Sequence, residues 1–301
     1  MTRLFLCLLQ IVTTSCYIHN LLLLVRDGTR LTIALEAALE RAADESRLQN
    51  VDFTGKVCIV PNSNQNPYSV LQSLCDCLEN TTASGIIGPY TSDQTLVVAY
   101  LTTLLRIPTI SPTASAGILL EKGEWTSSLR RLIPNNKKQA VAIADMVAHL
   151  GWKRVAVIYT TDIYGMSLAL ETMQECNSRD ITVSTAIVIK SGSDSDTIKH
   201  ILTEKLLPYE PRVILLLVKE TDTDPIVSQA YGLNLVGAEN AWVVGDGTTY
   251  YLEYSTGYNK LMYKGMLAID QYVDGDSNDI QDLHARYITQ KETFTSLSAG
   301  I

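Results

Sequence analysis

The sequence predicts an α/β protein built on parallel sheets with helices on both faces. Three features carry that expectation. Runs such as LLLLV at 21–25 and RVILLLV at 212–218 are apolar at every position, as strands are when both faces of their sheet are covered. Amphipathic stretches of helical period separate these runs. The alternation continues to GMLAI at 265–269, with no internal repeat or low-complexity tract.

Taken in order, LLLLV precedes LTIALEAALERAA (31–43), where Leu31, Leu35, Leu39 and Ala42 share one helical face. KVCIV (56–60) precedes the helical PYSVLQSLCDCLEN (67–80). SGII (84–87) turns through Gly88 and Pro89 into a helix over Ser92–Leu105, and IPTIS (107–111) follows. RRLIPNNKKQ (130–139), with a proline, two asparagines and two lysines in its second half, is a seam between two such series. Beyond it, NKKQAVAIADMVAHLG leads into KRVAVIY (153–159), and YGMSLALETMQECN into ITVSTAIVI (181–189). DTIKHILTEKLL leads into RVILLLV, and a segment around Ala230 leads into AWVV (241–244), before GMLAI ends the series. Nine strands of this kind make one wide sheet or two smaller ones. In either case ligands of open parallel sheets sit beyond the carboxyl ends of the strands, so the turns at 88–93, 111–117, 160–165, 219–224 and 245–250 are where function is expected.

Composition sets the outer bounds. A chain of 301 residues, 46% hydrophobic and 19% charged, can bury a sizeable core in one large unit or two lobes. A formal charge of −8 with no long basic run argues against a nucleic-acid partner. At the N-terminus, Arg3, the apolar LFLCLLQIV (4–12) and the small residues TTSC (13–16) have the layout of a secretory signal ending near Ser15 or Cys16. The competing reading is an uncleaved anchor over residues 4–25, which Gln10, His19 and Asn20 interrupt. In a secreted chain Cys58 can bridge to Cys75 or Cys77, of which only one can face it from a helix. Asn80-Thr81-Thr82 is a glycosylation sequon in an expected loop.

Catalytic and cofactor signatures are missing. The sequence holds no GxSxG, HExxH, GxxxxGK[ST] or GxGxxG run, and no cofactor is expected. DGDSND (274–279) starts like a calcium loop, but its sixth position is Asp279 rather than Gly and its twelfth Ala285 rather than Glu. His149, His200 and His284 fall in expected helices without metal-ligand spacing.

The turns themselves are informative. GIIGPYTSDQTLVVAYL, IPTISPTAS, RLIPNNKKQAVAIADMV, GWKRVAVIYTTDIYG and AWVVGDG occur in that order. Together they resemble the extracellular ligand-binding region shared by class C G-protein-coupled receptors, natriuretic-peptide-type receptor cyclases and ionotropic glutamate receptors. That region is similar to type I periplasmic binding proteins, and the resemblance spans about residues 20 to 290. It implies two doubly wound lobes joined by a hinge and closing on a ligand between them. Residues 1–16 would be the signal, 20–133 the first lobe, 134–268 the second, and 269–301 the start of a return to the first lobe that is cut short. Crossings are expected near Arg131–Asn136 and Leu267–Tyr272.

The resemblance also implies a recognition set for α-amino acids. Ser92 at a helix start matches the hydroxyl that meets the ligand carboxylate, and Thr113 and Ser115 match partners of carboxylate and ammonium. Tyr164 matches the aromatic that covers the ligand backbone from the second lobe, and Asp246 the acid that pairs with the ammonium. The chemistry is coherent, since a carboxylate at a helix N-terminus gains roughly 0.3–1 kcal/mol from the dipole. Plainer roles exist for each: Thr91 and Gln94 fit a capping box, Ser92 can cap the helix, Tyr164 can pack in the core, and Asp246 can shape its Gly-Asp-Gly turn. The expected protein is a non-catalytic, extracellular or secreted receptor ectodomain for an amino acid or similar small anion. A homodimer through the first lobe and a membrane effector region are further expectations. The competing classes are a free solute-binding protein of a transport system, an α/β enzyme, and a truncated fragment that does not signal.

Overall fold

The computed structural model describes residues 17–25, 28–44, 51–60, 67–79, 81–120, 125–271 and 276–298. The expected signal over 1–16 and the sequon residue Asn80 lie outside these residues.

Two five-stranded sheets form, each wholly parallel. The first contains β1 (Tyr17–Val25), β2 (Val51–Ile59), β3 (Gly85–Ile87), β4 (Thr109–Ser111) and β5 (Leu129–Arg131) in the order β2-β1-β3-β4-β5. Its helices are α1 (Gly28–Asp44), α2 (Pro67–Glu79) and α3 (Ser92–Leu104), with a 3₁₀ turn at Gly117–Leu120. The second contains β6 (Arg154–Thr160), β7 (Thr182–Ile189), β8 (Val213–Leu217), β9 (Ala241–Val244) and β10 (Leu267–Ala268) in the order β10-β9-β8-β6-β7. Its helices are α4 (Asn136–His149), α5 (Ile163–Asn177), α6 (Ser195–Lys205), α7 (Glu220–Gly232), α8 (Thr249–Tyr254) and α9 (Gly257–Tyr263). Counted from its own first strand, each sheet has the same doubly wound order, and each reverses direction next to that strand.

The packing explains the apolar strands. Every residue of β8 is buried. Ile214, Leu216 and the following Val218 pack with Ile158, Ile198, Leu202 and Trp242 on one face. Val213, Leu215 and Leu217 pack with Ile143, Val157, Leu168 and Val243 on the other. A strand alternates its side chains, so burial on both sides requires an unbroken apolar run. In the first sheet Leu22 and Leu24 join Cys58, Leu74, Ile86 and Val98 on one face, while Leu23 meets Leu35 on the other.

Three sequence expectations change. The described residues form ten strands where nine were expected, because β5 overlaps the start of the segment read as a seam. β1 starts at Tyr17 and β2 at Val51, earlier than the apolar runs. In the outer strand β2, exposed Asp52, Thr54 and Lys56 alternate with half-buried Phe53 and Val57, so its first half carries no continuous apolar signal. Residues 17–25 form a strand paired on both sides, which removes the second half of the helical anchor considered over 4–25. No helix of the described residues is long and apolar enough to cross a membrane.

Cys58 is bonded to Cys77, tying β2 to α2, while Cys75 is exposed and free. After β10 the chain passes to α10 (Asn278–Ser298), which lies on α1 in the first lobe. Arg286 reaches Asp44 at 2.8 Å and Glu40 at 3.7 Å, and Arg41 reaches Asp282 at 3.8 Å.

Candidate functional site

The first lobe presents the start of α3 to the space between the lobes. After β3 the chain turns at Gly88, whose φ of +100° is a conformation that side chains rarely adopt. A Cβ there would also lie 2.5 Å from the Leu24 carbonyl oxygen. The turn is pinned by Ser111 and Thr95, whose hydroxyls donate to the Pro89 carbonyl at 2.8 and 3.1 Å. Thr91 is the N-cap of α3, its hydroxyl accepting the Gln94 N–H at 3.4 Å. Ser92 therefore occupies the first helical position and does not cap. Its buried hydroxyl accepts the Ala116 N–H at 3.3 Å. Thr113 is exposed and donates to the Tyr90 carbonyl at 2.5 Å, lacing the loop after β4 to the same helix end. The Ser115 hydroxyl is buried and finds no hydrogen-bond partner.

The second lobe answers with the starts of α5 and α7 and the turn after β9. Asp162 is the N-cap of α5, accepting the Gly165 N–H at 3.0 Å. Gly165 is needed there, since a Cβ would sit 2.8 Å from the Thr160 carbonyl oxygen. Tyr164, in the first turn of α5, donates its phenol proton to Asp246 Oδ1. Gly247 lies against the backbone just after β8, where a Cβ would be 3.0 Å from Lys219 Cα, so glycine is sterically required at 247. Burial pushes the Asp246 carboxyl above its ordinary value and nearby Asp270 pushes the same way, while hydrogen bonds from Tyr164 and Gln139 pull it down. Burial also holds the Tyr164 phenol well above its ordinary range, and the Asp246 carboxylate adds to that, so the tyrosine stays a donor.

A cavity of about 460 Å³ lies between these elements. The first lobe lines it with Tyr90, Thr91, Ser92, Asp93 and Thr113. Asp162, Tyr164, Lys219, Glu220, Asp246 and Gly247 line it from the second. Ile133, Asp270 and Gln271, from the connecting segments, complete the wall. Of the five residues singled out from the sequence, Ser92, Thr113, Tyr164 and Asp246 thus share one cavity. Ser115 instead lines a neighbouring cavity of about 440 Å³, which also touches Asp246, Asp270 and Gln271. Sequence reasoning named none of Asp93, Asp162, Lys219 and Glu220, although all four fall in turns flagged by position alone.

Hydrogen bonds cross between the lobes beside the cavity. The Ile163 N–H donates to Asp93 Oδ1 at 3.1 Å, and the Gly117 N–H donates to the Ser167 hydroxyl at 2.8 Å. Asn136 bridges both sides, its N–H reaching the Ser115 carbonyl at 2.8 Å and its amide the Tyr164 carbonyl at 3.1 Å. The lobes are in contact, with strand ends from both facing one shared, partly open cavity. Among the described residues no three His, Cys, Asp or Glu side chains are grouped to hold a metal ion.

Two doubly wound parallel lobes with a polar cavity between their strand ends define a periplasmic-binding-protein-like module. A family model described as the receptor family ligand binding region matches residues 30–299, and the chain belongs to that family. It is 29% identical over 177 residues to the extracellular calcium-sensing receptor of Homo sapiens, a match covering 57% of this chain and 16% of that protein. It is 26% identical over 220 residues to a metabotropic glutamate receptor of Drosophila melanogaster, covering 73% of this chain and 21% of the relative. Glutamate receptor 3.1 of Oryza sativa subsp. japonica is 28% identical over 229 residues, covering 76% and 24%. The chain is a receptor ligand-binding region, homologous to class C receptor ectodomains, and it spans less than a quarter of the length of these relatives.

Proposed function

We propose that the cleft binds an α-amino acid and that the protein acts as the extracellular sensing module of a receptor, reporting the ligand through closure of its lobes. The ligand carboxylate is received at the start of α3 by backbone N–H groups and the Ser92 hydroxyl, with Thr113 beside it, its own proton held by the Tyr90 carbonyl. Its ammonium pairs with Asp246, Tyr164 covers its backbone, and Ser115 lies at the edge of this set. What supports the reading is the single cavity lined by Ser92 and Thr113 from one lobe and by Tyr164 and Asp246 from the other. A dipolar ligand satisfies both ends only when the lobes meet, so binding favours closure. Two relatives named for glutamate, a metabotropic glutamate receptor and a glutamate receptor, support an amino-acid ligand. An effector region elsewhere in a longer protein is part of the same proposal.

Calorimetry tests it. L-norleucine should bind, whereas hexanoate and pentylamine, each lacking one end group, should bind far more weakly. Asp246→Ala should weaken norleucine binding about tenfold to a hundredfold, the scale of one lost charged hydrogen bond. Unchanged affinity in that variant would remove Asp246 from the site.

A further inference from the structure

The cavity holds a second acidic corner that the recognition of an α-amino acid backbone does not use. Asp93, in the first turn of α3, comes from one lobe, and Asp162, the N-cap of α5, from the other. The Ile163 N–H donates to Asp93 Oδ1 at 3.1 Å, which draws the two carboxylates together across the lobe boundary. Both line the cavity. Asp162 is only 7% exposed, and although Gly165 N–H occupies Oδ1, its Oδ2 has no hydrogen-bond partner. That oxygen is closed off from the cavity, so half-buried Asp93 meets the cavity directly and Asp162 adds its buried charge behind it.

The surroundings offset this corner only in part. Lys219 is the cation lining the cavity, and its Nζ lies 3.8 Å from the buried carboxylate of Asp222, which also accepts from Ser191 and Gly192. Glu220, Asp246 and Asp270 add further acids to the wall. The carboxyl of Asp93 is raised by burial and by Asp162, against the opposing influence of the Ile163 N–H and Lys219. An ordinary zwitterion brings one positive group, and Asp246 already takes it.

We infer that Asp93 and Asp162 form a second cation-accepting corner, completed when the lobes meet, and that the ligand carries a second positive group: an α-amino acid with an ammonium or guanidinium side chain. This rests on the amino-acid reading above and adds the class of side chain. A negatively charged side chain would meet two carboxylates at this corner and be disfavoured.

Lysine and norleucine differ by the terminal ammonium, so calorimetry on the full chain with the two compares that group alone. Lysine should bind about tenfold or more tighter than norleucine, the effect of one buried charged contact. L-glutamate should bind more weakly than either. Asp93→Asn combined with Asp162→Asn keeps the acceptor for Ile163 and the helix cap, because asparagine serves both roles, and should bring the lysine-to-norleucine ratio close to one. Equal affinity for lysine and norleucine in the unmodified chain, tighter binding of glutamate, or a ratio that survives the double substitution would each overturn the inference and leave the amino-acid reading standing. If only cadaverine binds, and does so through Asp93 and Asp162, the acidic corner stands and the amino-acid reading falls. No binding by any of these compounds removes both.

Discussion

At the scale of single residues, the cleft is a place where carboxylates are kept charged against their surroundings. Burial raises the Asp93 carboxyl above its ordinary 3.8. In the unfolded chain that group ionises near its ordinary value, while the folded protein holds the proton longer. The folded state therefore loses stability as pH rises from about 4 through the folded-state value, and the loss is complete above it. Asp93→Asn removes this cost while keeping the hydrogen bond from Ile163. Its thermal midpoint should exceed that of the unmodified chain at pH 7, with the gap closing below about pH 4. A midpoint difference that does not change with pH would show that the carboxylate is not the cause. Gains of this kind are typical of binding sites, where a function is bought with stability. Asp93 was invisible as a site residue in the sequence because its partner, the Ile163 N–H, is 70 positions away. Tyr164 and Asp246, which line the same cavity, could be singled out because DIYG and VVGDG are local motifs that carry the family resemblance.

At the scale of elements, the disulfide gives the clearest measurement. The bond between Cys58 and Cys77 closes a loop with a sequence separation of 19, for which chain entropy gives a stabilisation of roughly 3 kcal/mol. Cys77→Ser should lower the unfolding free energy by about that amount in a denaturant titration, while Cys75→Ser, altering an exposed thiol, should leave it nearly unchanged. The reverse pattern would mean that the two cysteines exchange roles. From sequence, spacing showed that only one of the pair could face Cys58 but not which, because the choice depends on how α2 is rotated over β2. The buried strands of the second lobe were legible almost to the residue, since burial on both faces demands unbroken apolar runs. β5 was not, because a three-residue outer strand reading Leu129-Arg130-Arg131 buries only its leucine. The early residues of β2 were hidden for the same reason. Short edge elements are stabilised by their neighbours' hydrogen bonds, and those leave no pattern in composition.

At the scale of the whole molecule, the lobes meet through a few hydrogen bonds beside the cavity and through Ile163, which packs on an apolar cluster of the first lobe. Gly117 donates to Ser167, and a Cβ on Gly117 would meet only the ends of two side chains, the Ser167 hydroxyl at 3.3 Å and the Glu171 carboxylate. Gly117→Ala keeps the N–H donor and should be absorbed by a turn of Glu171. Small-angle scattering should show an unchanged radius of gyration, and norleucine affinity should be little altered. A larger radius with weaker binding would mean that Glu171 is held too firmly to give way. The two-lobe organisation was legible from the seam after β4 and from the family resemblance. The contacts that set the lobes against each other were not, because each joins residues from separate series.

The shared winding of the two sheets has one more consequence. α3, α5 and α7 all begin at the rim of the same cavity, so their backbone N–H groups alone would make it attractive to anions. The opposite preference resides in Asp93, Asp162 and Glu220, side chains at helix starts that contribute little to either core. Swapping them for their amides, which keep the cap of α5 and the acceptor for Ile163, would remove that preference without disturbing a single packed strand. Such a scaffold can acquire new specificities over evolutionary time by changing its rim, while its architecture stays as it is.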